Sequence, residues 1–236
     1  MTDVASERSA PPGTGRIDEP ETVVTPRRSR AAYYEWEFSG PTPNHRYLIP
    51  ALRTCLTLAG GARLLDLGSG NGYVTAQLRD AGMAVTGVEG TPSGVERASR
   101  SWPDIPFVQH DITTPLPASL CGRFDVVTSV EVIEHLFLPR EVFARAREAL
   151  GEQGTLIVST PFHGYWKNLA LALAGKWDAH HQPLSDFGHV KFFSEDLLGA
   201  MAEECGFRPR RFLRAGRAQP LAATMLMVAD LGRTAG

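Results

Sequence analysis

The chain has 236 residues, of which 43% are hydrophobic and 21% charged, so it is long enough for one α/β domain with a substantial core. Its formal net charge of -2 provides no general attraction to phosphate backbones, so nucleic acid is not an expected partner. No apolar run reaches the ~18 residues that span a bilayer, and the N-terminus lacks the apolar core of a secretory signal. We therefore expect a cytoplasmic protein.

The first part of the chain predicts a disordered tail followed by a single domain over residues 31–236. Residues 1–30 are rich in Pro, Gly, Ser, Thr and charge, a composition that buries too little apolar surface to fold. An amphipathic helix is predicted over Asn44–Ala59. Strands are then predicted at Arg63–Leu67, Ala84–Val88, Pro106–Gln109, Phe124–Val130 and Gly154–Ser159, and helices from Tyr73, after Ser93 and from Arg140. This alternation predicts a doubly wound parallel sheet, because parallel strands need crossover connections.

The pattern changes after the fifth strand. Residues 161–190 are predicted to be an insertion that acts as a substrate lid. A helix with a serine N-cap follows at Ser194–Cys205, and the strands Phe207–Arg214 and Ala222–Ala229 are predicted to form an antiparallel hairpin at the sheet edge. The expected fold is therefore α/β, a Rossmann-like seven-stranded sheet that is mostly parallel.

A glycine-rich turn at residues 64–73 joins the first strand to a helix and predicts a bound ligand. Tyr73 occupies the position of the third glycine of a dinucleotide fingerprint, and Asp66 lies at the end of the strand. This carboxylate would repel a pyrophosphate but attract a sulfonium and a free amino group, which favours S-adenosylmethionine. The predicted cofactor contacts here are Asp66, Gly68, Ser69, Gly70, Gly72 and Tyr73.

Further candidates lie at the ends of the next strands, which meet at one edge of a parallel sheet. Glu89, followed by Gly90, is placed to accept hydrogen bonds from both ribose hydroxyls. Asp111 and Ile112 follow the third strand. The end of the fourth strand directs three residues toward the methionine portion of the cofactor, namely Ser129, Val130 and Glu131.

This order of elements is similar to the class I S-adenosylmethionine-dependent methyltransferase fold from about Tyr33 onward. Residues 129–135, Ser-Val-Glu-Val-Ile-Glu-His, resemble the segment after strand four of the ubiquinone-type O-methyltransferases, and residues 43–46, Pro-Asn-His-Arg, resemble their N-terminal arginine segment. The resemblance implies that Arg46 binds the methionine carboxylate. It also implies that Asp111 binds the adenine amino group and that the backbone of Ile112 reaches the ring.

Methyl transfer to oxygen requires removal of a proton, and histidine is the usual base. His135, His163 and His189 follow the fourth and fifth strands and are candidate catalytic residues, with a structural role as the alternative for each. The spacing of Glu131, Glu134 and His135 also suits a metal site on a helix. With His189 that set resembles the metal site of small-RNA 2′-O-methyltransferases, but we favour the interpretation without a metal.

The insertion carries a segment, Tyr165–Trp177, that is apolar with aromatic residues and lysines at both ends. This pattern is compatible with peripheral contact to a membrane or lipid through residues 162–177, or with a helix packed on the core or on a second subunit of a homodimer. Three aromatic residues near the N-terminus are predicted either to close the other side of the pocket or to belong to the core, namely Tyr33, Tyr34 and Trp36.

The leading hypothesis is an S-adenosylmethionine-dependent methyltransferase that acts on the hydroxyl of a small or lipid-like molecule. A metal-assisted RNA ribose 2′-O-methyltransferase is the first alternative, and it would require a divalent ion. A catalytically silent module that binds the cofactor and holds a partner through the insertion is the second.

Overall fold

Seven strands form one mixed sheet in the computed structural model, which describes residues 36, 38, 40–181, 183–185, 188–218 and 221–232. The strand order is β3-β2-β1-β4-β5-β7-β6. The strands are β1 (Arg63–Leu67), β2 (Ala84–Glu89), β3 (Phe107–Gln109), β4 (Phe124–Val130), β5 (Leu150–Pro161), β6 (Phe207–Ala215) and β7 (Thr224–Leu231). Strands β1 to β5 are parallel, and β7 runs antiparallel to both β5 and β6. The predicted fold class is confirmed. The predicted tail, with Tyr33 and Tyr34, lies outside the described residues.

Seven α-helices connect these strands within the described part of the chain. They are α1 (His45–Ala59), α2 (Tyr73–Arg79), α3 (Pro92–Ser101), α4 (Arg140–Ala149), α5 (Tyr165–Leu173), α6 (Trp177–His181) and α7 (Glu195–Glu204). Helix α3 begins with Pro92 after Thr91, whose side chain accepts a hydrogen bond from the Gly94 amide, and Ser194 caps α7 in the same way through Leu197. No helix among these residues is long and apolar enough to cross a bilayer.

Both faces of the sheet are covered by helices, which is why most residues of the central strands are buried and apolar. One face packs against α4 and α7 through Phe143 and Leu198. The other packs against α1 and α2 through Leu48, Leu52 and Leu78. The carboxyl ends of β1, β2 and β4 are therefore left as the accessible edge.

The insertion after β5 begins and ends at one place in the fold. Phe162 and Phe193 form an isolated parallel bridge, and the His163 amide donates to the Phe193 carbonyl over 3.2 Å. Helices α5 and α6 lie between these two points. The insertion is thus anchored at its base, beside the end of β5.

Two predicted elements differ from the structure. Strand β5 is longer than predicted, because it lies between two partners. It pairs with β4 on one side, and on the other side its pairing with β7 continues as far as Pro161. The helix considered for residues 131–135 is a single 3-10 turn at Ile133–His135. Glu131 itself has a φ of 56°, a left-handed backbone conformation that interrupts any helical face.

Candidate active site

A cavity of about 1750 Å³ opens at the carboxyl ends of β1, β2 and β4, under the insertion. Single small-molecule sites measure roughly 300–1,000 Å³, so this volume accommodates two ligands side by side. Most residues predicted to bind the cofactor line it, namely Asp66, Gly68, Ser69, Gly70, Glu89, Gly90, Asp111, Ile112, Val130 and Glu131. The sequence-based site therefore coincides with the cavity over most of its length.

The glycine loop lies along the floor of this cavity, which Gly68, Ser69 and Gly70 line. Gly68 and Gly70 have φ values of 80° and 55°, which favour glycine. A Cβ atom on Gly68 would overlap Val132, and one on Gly70 would overlap the ring of Trp36. The Gly68 and Ser69 amides donate to the Val88 carbonyl over 2.8 and 2.9 Å, which ties the loop to β2. This cradle fits the close approach of an adenosyl cofactor.

Glu89 organises the loop as well as facing the cavity. Its Oε2 accepts a hydrogen bond from the Gly70 amide over 2.9 Å. Its Oε1 accepts from the amide and hydroxyl of Thr91 over 2.8 and 2.7 Å. At the end of β3, Asp111 accepts from the amide and hydroxyl of Thr113, both over 2.9 Å. The two carboxylates are therefore positioned by the turns that follow their strands.

Asp66 is buried at the end of β1, with two threonine hydroxyls as its partners. Oδ2 accepts from Thr75 and Oδ1 from Thr128, each over 2.7 Å. Burial raises the pKa of Asp66, although both hydrogen bonds act in the opposite direction. The side chain thus joins β1 to α2 and β4, a role that sequence reasoning missed. Its predicted contact with the cofactor stays a prediction.

Four predicted cofactor residues do not line the cavity. Arg46 is exposed on α1. A Cβ atom on Gly72 would meet the side chains of α3 and β3, so this glycine serves packing, and the ring of Tyr73 stacks on His45 at 4.9 Å. Ser129 is buried within β4, and its hydroxyl has no hydrogen-bond partner among the described residues.

A short segment before α1 crosses the glycine loop. Asn71 Nδ2 donates to the carbonyls of Phe38 and Gly40 over 3.1 and 3.3 Å. The Trp36 amide donates to Ser93 Oγ over 3.1 Å, and its ring lies against the loop. Trp36 therefore lines the cavity, whereas Asn71 is a loop residue whose role could not be read from its position alone.

The Glu131 carboxylate is bound by hydroxyl groups of β5 and β7. Its Oε1 accepts hydrogen bonds from Ser159 Oγ and Thr224 Oγ1, each over 2.8 Å. Burial raises its pKa, and the ammonium of Lys167 lowers it. Glu131 is consequently directed to β5 and β7 and does not join the histidines that follow it in sequence.

Glu134, His135 and His189 converge, with ligand atoms within 4.8 Å of one another. Glu134 is 1% exposed. His189 Nε2 lies 4.0 Å from Glu134 Oε1, and the two imidazole rings are 4.8 Å apart. Burial, followed by the charge of Glu131, raises the pKa of Glu134 well above its usual range. The group has the chemistry to accept a proton or to hold a divalent cation.

The third predicted catalytic residue, His163, does not line the cavity. It is 8% exposed and lies behind His180 and His181, which do line it. Burial lowers the pKa of His163 and of His180 to about 4, and the nearby Lys167 contributes to both shifts. Three neutral imidazoles therefore form a second group beside the cavity.

Lys167 is a cavity residue that sequence reasoning read only as the end of an apolar segment. Its Nζ donates to the carbonyls of Phe162 and Ala223 over 2.7 and 3.4 Å. Burial lowers its pKa to about 8, with the charge of Arg217 as a further cause. A buried ammonium thus faces the cavity from the first turns of α5.

The model of the methyltransferase domain family matches residues 43–211, which contain the glycine loop, the strand ends and the whole insertion. The chain belongs to this family. The family assignment confirms the resemblance to S-adenosylmethionine-dependent methyltransferases, and S-adenosylmethionine is the cofactor that this methyltransferase domain requires.

Curated relatives share part of this methyltransferase domain. A ubiquinone biosynthesis O-methyltransferase of Cereibacter sphaeroides is 30% identical over 154 residues, which are 63% of this chain and 61% of that protein. A mitochondrial protein of the same name from Schizosaccharomyces pombe is 29% identical and is covered over 56% of its length. The chain thus spans about three fifths of the curated relatives that it matches.

A solved structure of magnesium protoporphyrin IX methyltransferase from Synechocystis PCC 6803, with bound SAH, has the same fold. Its TM-score is 0.58 at 17% sequence identity, with 79% of this chain and 82% of that chain covered. This similarity supports the strand order of the methyltransferase domain.

Proposed function

We propose that this methyltransferase transfers the methyl group of S-adenosylmethionine to the hydroxyl of a small or lipid-like molecule. The observation that carries the proposal is the position of Glu134, His135 and His189 in the same cavity as the glycine loop. Relatives that are named O-methyltransferases support oxygen as the acceptor atom.

One half of the cavity suits the cofactor. The loop from Gly68 to Gly70 lines it, Glu89 offers a carboxylate for the ribose hydroxyls, and Asp111 and Ile112 lie beside the expected position of the adenine. The cofactor, when bound, supplies an electrophilic methyl group. These residues would hold it at the ends of β1 to β3.

The other half suits a partly apolar acceptor. Its walls come from the turn after β4 and from α5, through Leu136, Phe137, Ala170, Leu171 and Ala174. An apolar wall that excludes water aligns a hydroxyl for in-line displacement and strengthens nearby electrostatic interactions. We therefore infer an acceptor with a hydrophobic ring or chain next to its hydroxyl.

The histidines provide the proton acceptor. A neutral imidazole of His135 or His189 accepts the hydroxyl proton as the oxygen forms its bond to carbon. The buried carboxylate of Glu134, 4.0 Å from His189 Nε2, stabilises the imidazolium that results. Glu134 is in this scheme a positioning residue, and the histidines are the catalytic candidates.

Helix α5 and the start of α6 support a lipid-like acceptor from outside the cavity. The side chains of Tyr165, Trp166, Leu173 and Trp177 are 50–80% exposed, a large apolar surface for a soluble domain. We propose that this surface contacts the membrane interface. The protein should then sediment with anionic phospholipid vesicles, and a Trp166→Ser/Leu173→Ser variant should not. A vesicle-insensitive dimer that the same variant converts to monomers would instead assign the surface to a second copy.

The decisive experiment supplies methyl-labelled cofactor with phenols, catechols and a cell extract, and identifies the labelled product by mass spectrometry. We expect label on oxygen of a partly apolar compound, lost in His189→Ala and retained after chelation. Label on RNA that depends on a divalent ion would establish the first alternative. Tight S-adenosylhomocysteine binding without any transfer would establish the silent module.

A further inference from the structure

Three histidines of the insertion form a group separate from Glu134, His135 and His189. One ring nitrogen from each of His163, His180 and His181 lies within 4.8 Å of those of the other two. His163 follows β5 directly, whereas His180 and His181 end α6. We infer that these three imidazoles bind one divalent transition-metal ion of the zinc type in the wall of the cavity.

The geometry is close to what such an ion requires. Zinc binds imidazole nitrogen at about 2.0–2.1 Å, so its tetrahedral ligands stand about 3.4 Å apart. The nitrogens of the group are within 4.8 Å, and the rings are already in contact, with centroid separations of 5.7, 5.5 and 4.9 Å. Small side-chain rotations bring the three nitrogens to one ion. An all-imidazole set favours zinc, copper or nickel over magnesium and calcium, which prefer oxygen.

A buried nitrogen without a partner independently marks the site. His181 Nε2 is inaccessible to water and has no hydrogen-bond partner among the described residues. Leaving such a group unpaired is costly, and a metal ion would satisfy it. The Asn168 side chain interacts with His163, and its Nδ2 donates to the His163 carbonyl over 3.4 Å. An amide oxygen in that position is suited to hold the outer N–H of a metal-bound imidazole.

The charges that face the group set its affinity. Lys167 acts on all three imidazoles and Arg217 on His180, and both cations oppose a metal ion. His189 is the other titratable neighbour of His180. Because Lys167 donates to two backbone carbonyls, its ammonium is held in place. Zinc binding should therefore be weaker than in a thiolate site, and Lys167→Met should strengthen it.

Three protein ligands leave one position of a tetrahedral ion for a further group. His180 and His181 line the cavity, whereas His163 is buried on the side of the group away from the cavity. The fourth coordination position of the ion therefore faces the cavity. The ligand class that fits there is an anionic or ionisable oxygen, such as a phenol, catechol or carboxylate. The ion would also join α6 to the end of β5 and so stiffen the insertion.

The test titrates the metal-free full chain with zinc by calorimetry and with cobalt by absorption spectroscopy. To silence the other donor group, the measurements use the His189→Ala protein as background. We expect one zinc per chain and the intense visible bands of tetrahedral cobalt. His180→Ala and His181→Ala should each weaken zinc binding by at least about tenfold. His110→Ala, which lies outside both groups, is the matched control and should have no effect.

The opposite pattern would overturn the inference. If the wild-type protein binds zinc, the His189→Ala protein does not, and His180→Ala and His181→Ala made in the wild-type background leave binding unchanged, the ion belongs to the Glu134 group. No saturable binding, or an octahedral cobalt spectrum, would also reject the site. The zinc and cobalt titrations do not depend on methyl transfer. They therefore test the metal site even if the proposed methyltransferase activity is not found.

Discussion

The Glu89 carboxylate accepts a hydrogen bond from the Gly70 amide over 2.9 Å, so the acidic residue at the end of β2 holds the loop at the end of β1. Its other oxygen binds Thr91 at the start of α3. A side chain placed to bind a ribose therefore also shapes the loop against which the cofactor lies. A substitution at Glu89 should therefore disturb the loop at Gly70, and a substitution at Gly70 should disturb the position of the Glu89 carboxylate.

Replacing Glu89 by Ala should weaken S-adenosylhomocysteine binding roughly 10- to 150-fold, because a hydrogen bond to a charged group contributes about 1.5–3 kcal/mol. Isothermal calorimetry measures this change. The control is Glu96→Ala on the exposed face of α3, whose carboxylate pairs with Arg100. Binding by a folded Glu89→Ala protein that equals the wild type would contradict the assignment.

A Gly70→Ala substitution should lower both the free energy of unfolding and the affinity for S-adenosylhomocysteine. The left-handed φ costs about 1–2 kcal/mol for a residue with a Cβ, and here the Cβ would also overlap the ring of Trp36. Gly122→Ala separates the two effects, because its φ of 63° is similar but it has open space. Urea unfolding should show the smaller loss for Gly122→Ala. A Gly70→Ala/Trp36→Ala double variant that recovers none of the difference would refute the overlap.

Asn71→Ala should release the segment that crosses the glycine loop. The substitution removes the donor to the Phe38 and Gly40 carbonyls, which together stabilise the segment by about 1–2 kcal/mol. Amide hydrogen exchange of Phe38 and Gly40 should accelerate. Asn44→Ala is a suitable comparison, since the Asn44 side chain makes no capping hydrogen bond to α1. Equal exchange in both variants would show that Asn71 does not hold the segment.

Glu134→Gln should be more stable than the wild type at pH 8 but not at pH 5, in the presence of a chelator. The folded-state pKa of Glu134 lies well above 4.5, so the folded state binds this proton more tightly than the unfolded state. The stability from Glu134 is thus present below pH 4.5 and is lost as the pH rises through the raised pKa. Glutamine removes this dependence, and the gain at pH 8 should be about 1–3 kcal/mol. If the urea midpoints of the wild type and of Glu134→Gln change in parallel between pH 5 and pH 8, the prediction is wrong.

Local patterns explain why much of the fold was predictable. The Ser194 cap and Gly206 bound α7 because both act within one helical turn, and the hairpin of β6 and β7 follows from two strand-forming segments joined by a short loop. The length of β5 was not predictable, since its last residues are strand only through their pairing with Thr224 and its neighbours in β7. Pairing between distant segments leaves no periodic signal in either one.

The cofactor site shows the same division between local features, which the sequence predicts, and contacts between distant segments, which it does not. Gly68 and Gly70 were identified because a turn with positive φ demands glycine, which is a local requirement. The Thr75 and Thr128 partners of Asp66 were missed, because ordinary threonines on a helix and a strand do not indicate what they face. The exposure of Arg46 was likewise settled by how α1 packs on the sheet.

The sequence by itself determined the order of strands and helices, the glycine loop and the methyltransferase family, since each rests on residue type and short-range spacing. Only the tertiary structure showed which histidines lie close to one another. Folding of the insertion brings His189 to Glu134 and places His180 and His181 against His163, while the hydroxyls of Ser159 and Thr224 bind the Glu131 carboxylate. Such groupings depend on how a loop closes, and closure depends on packing across the whole domain.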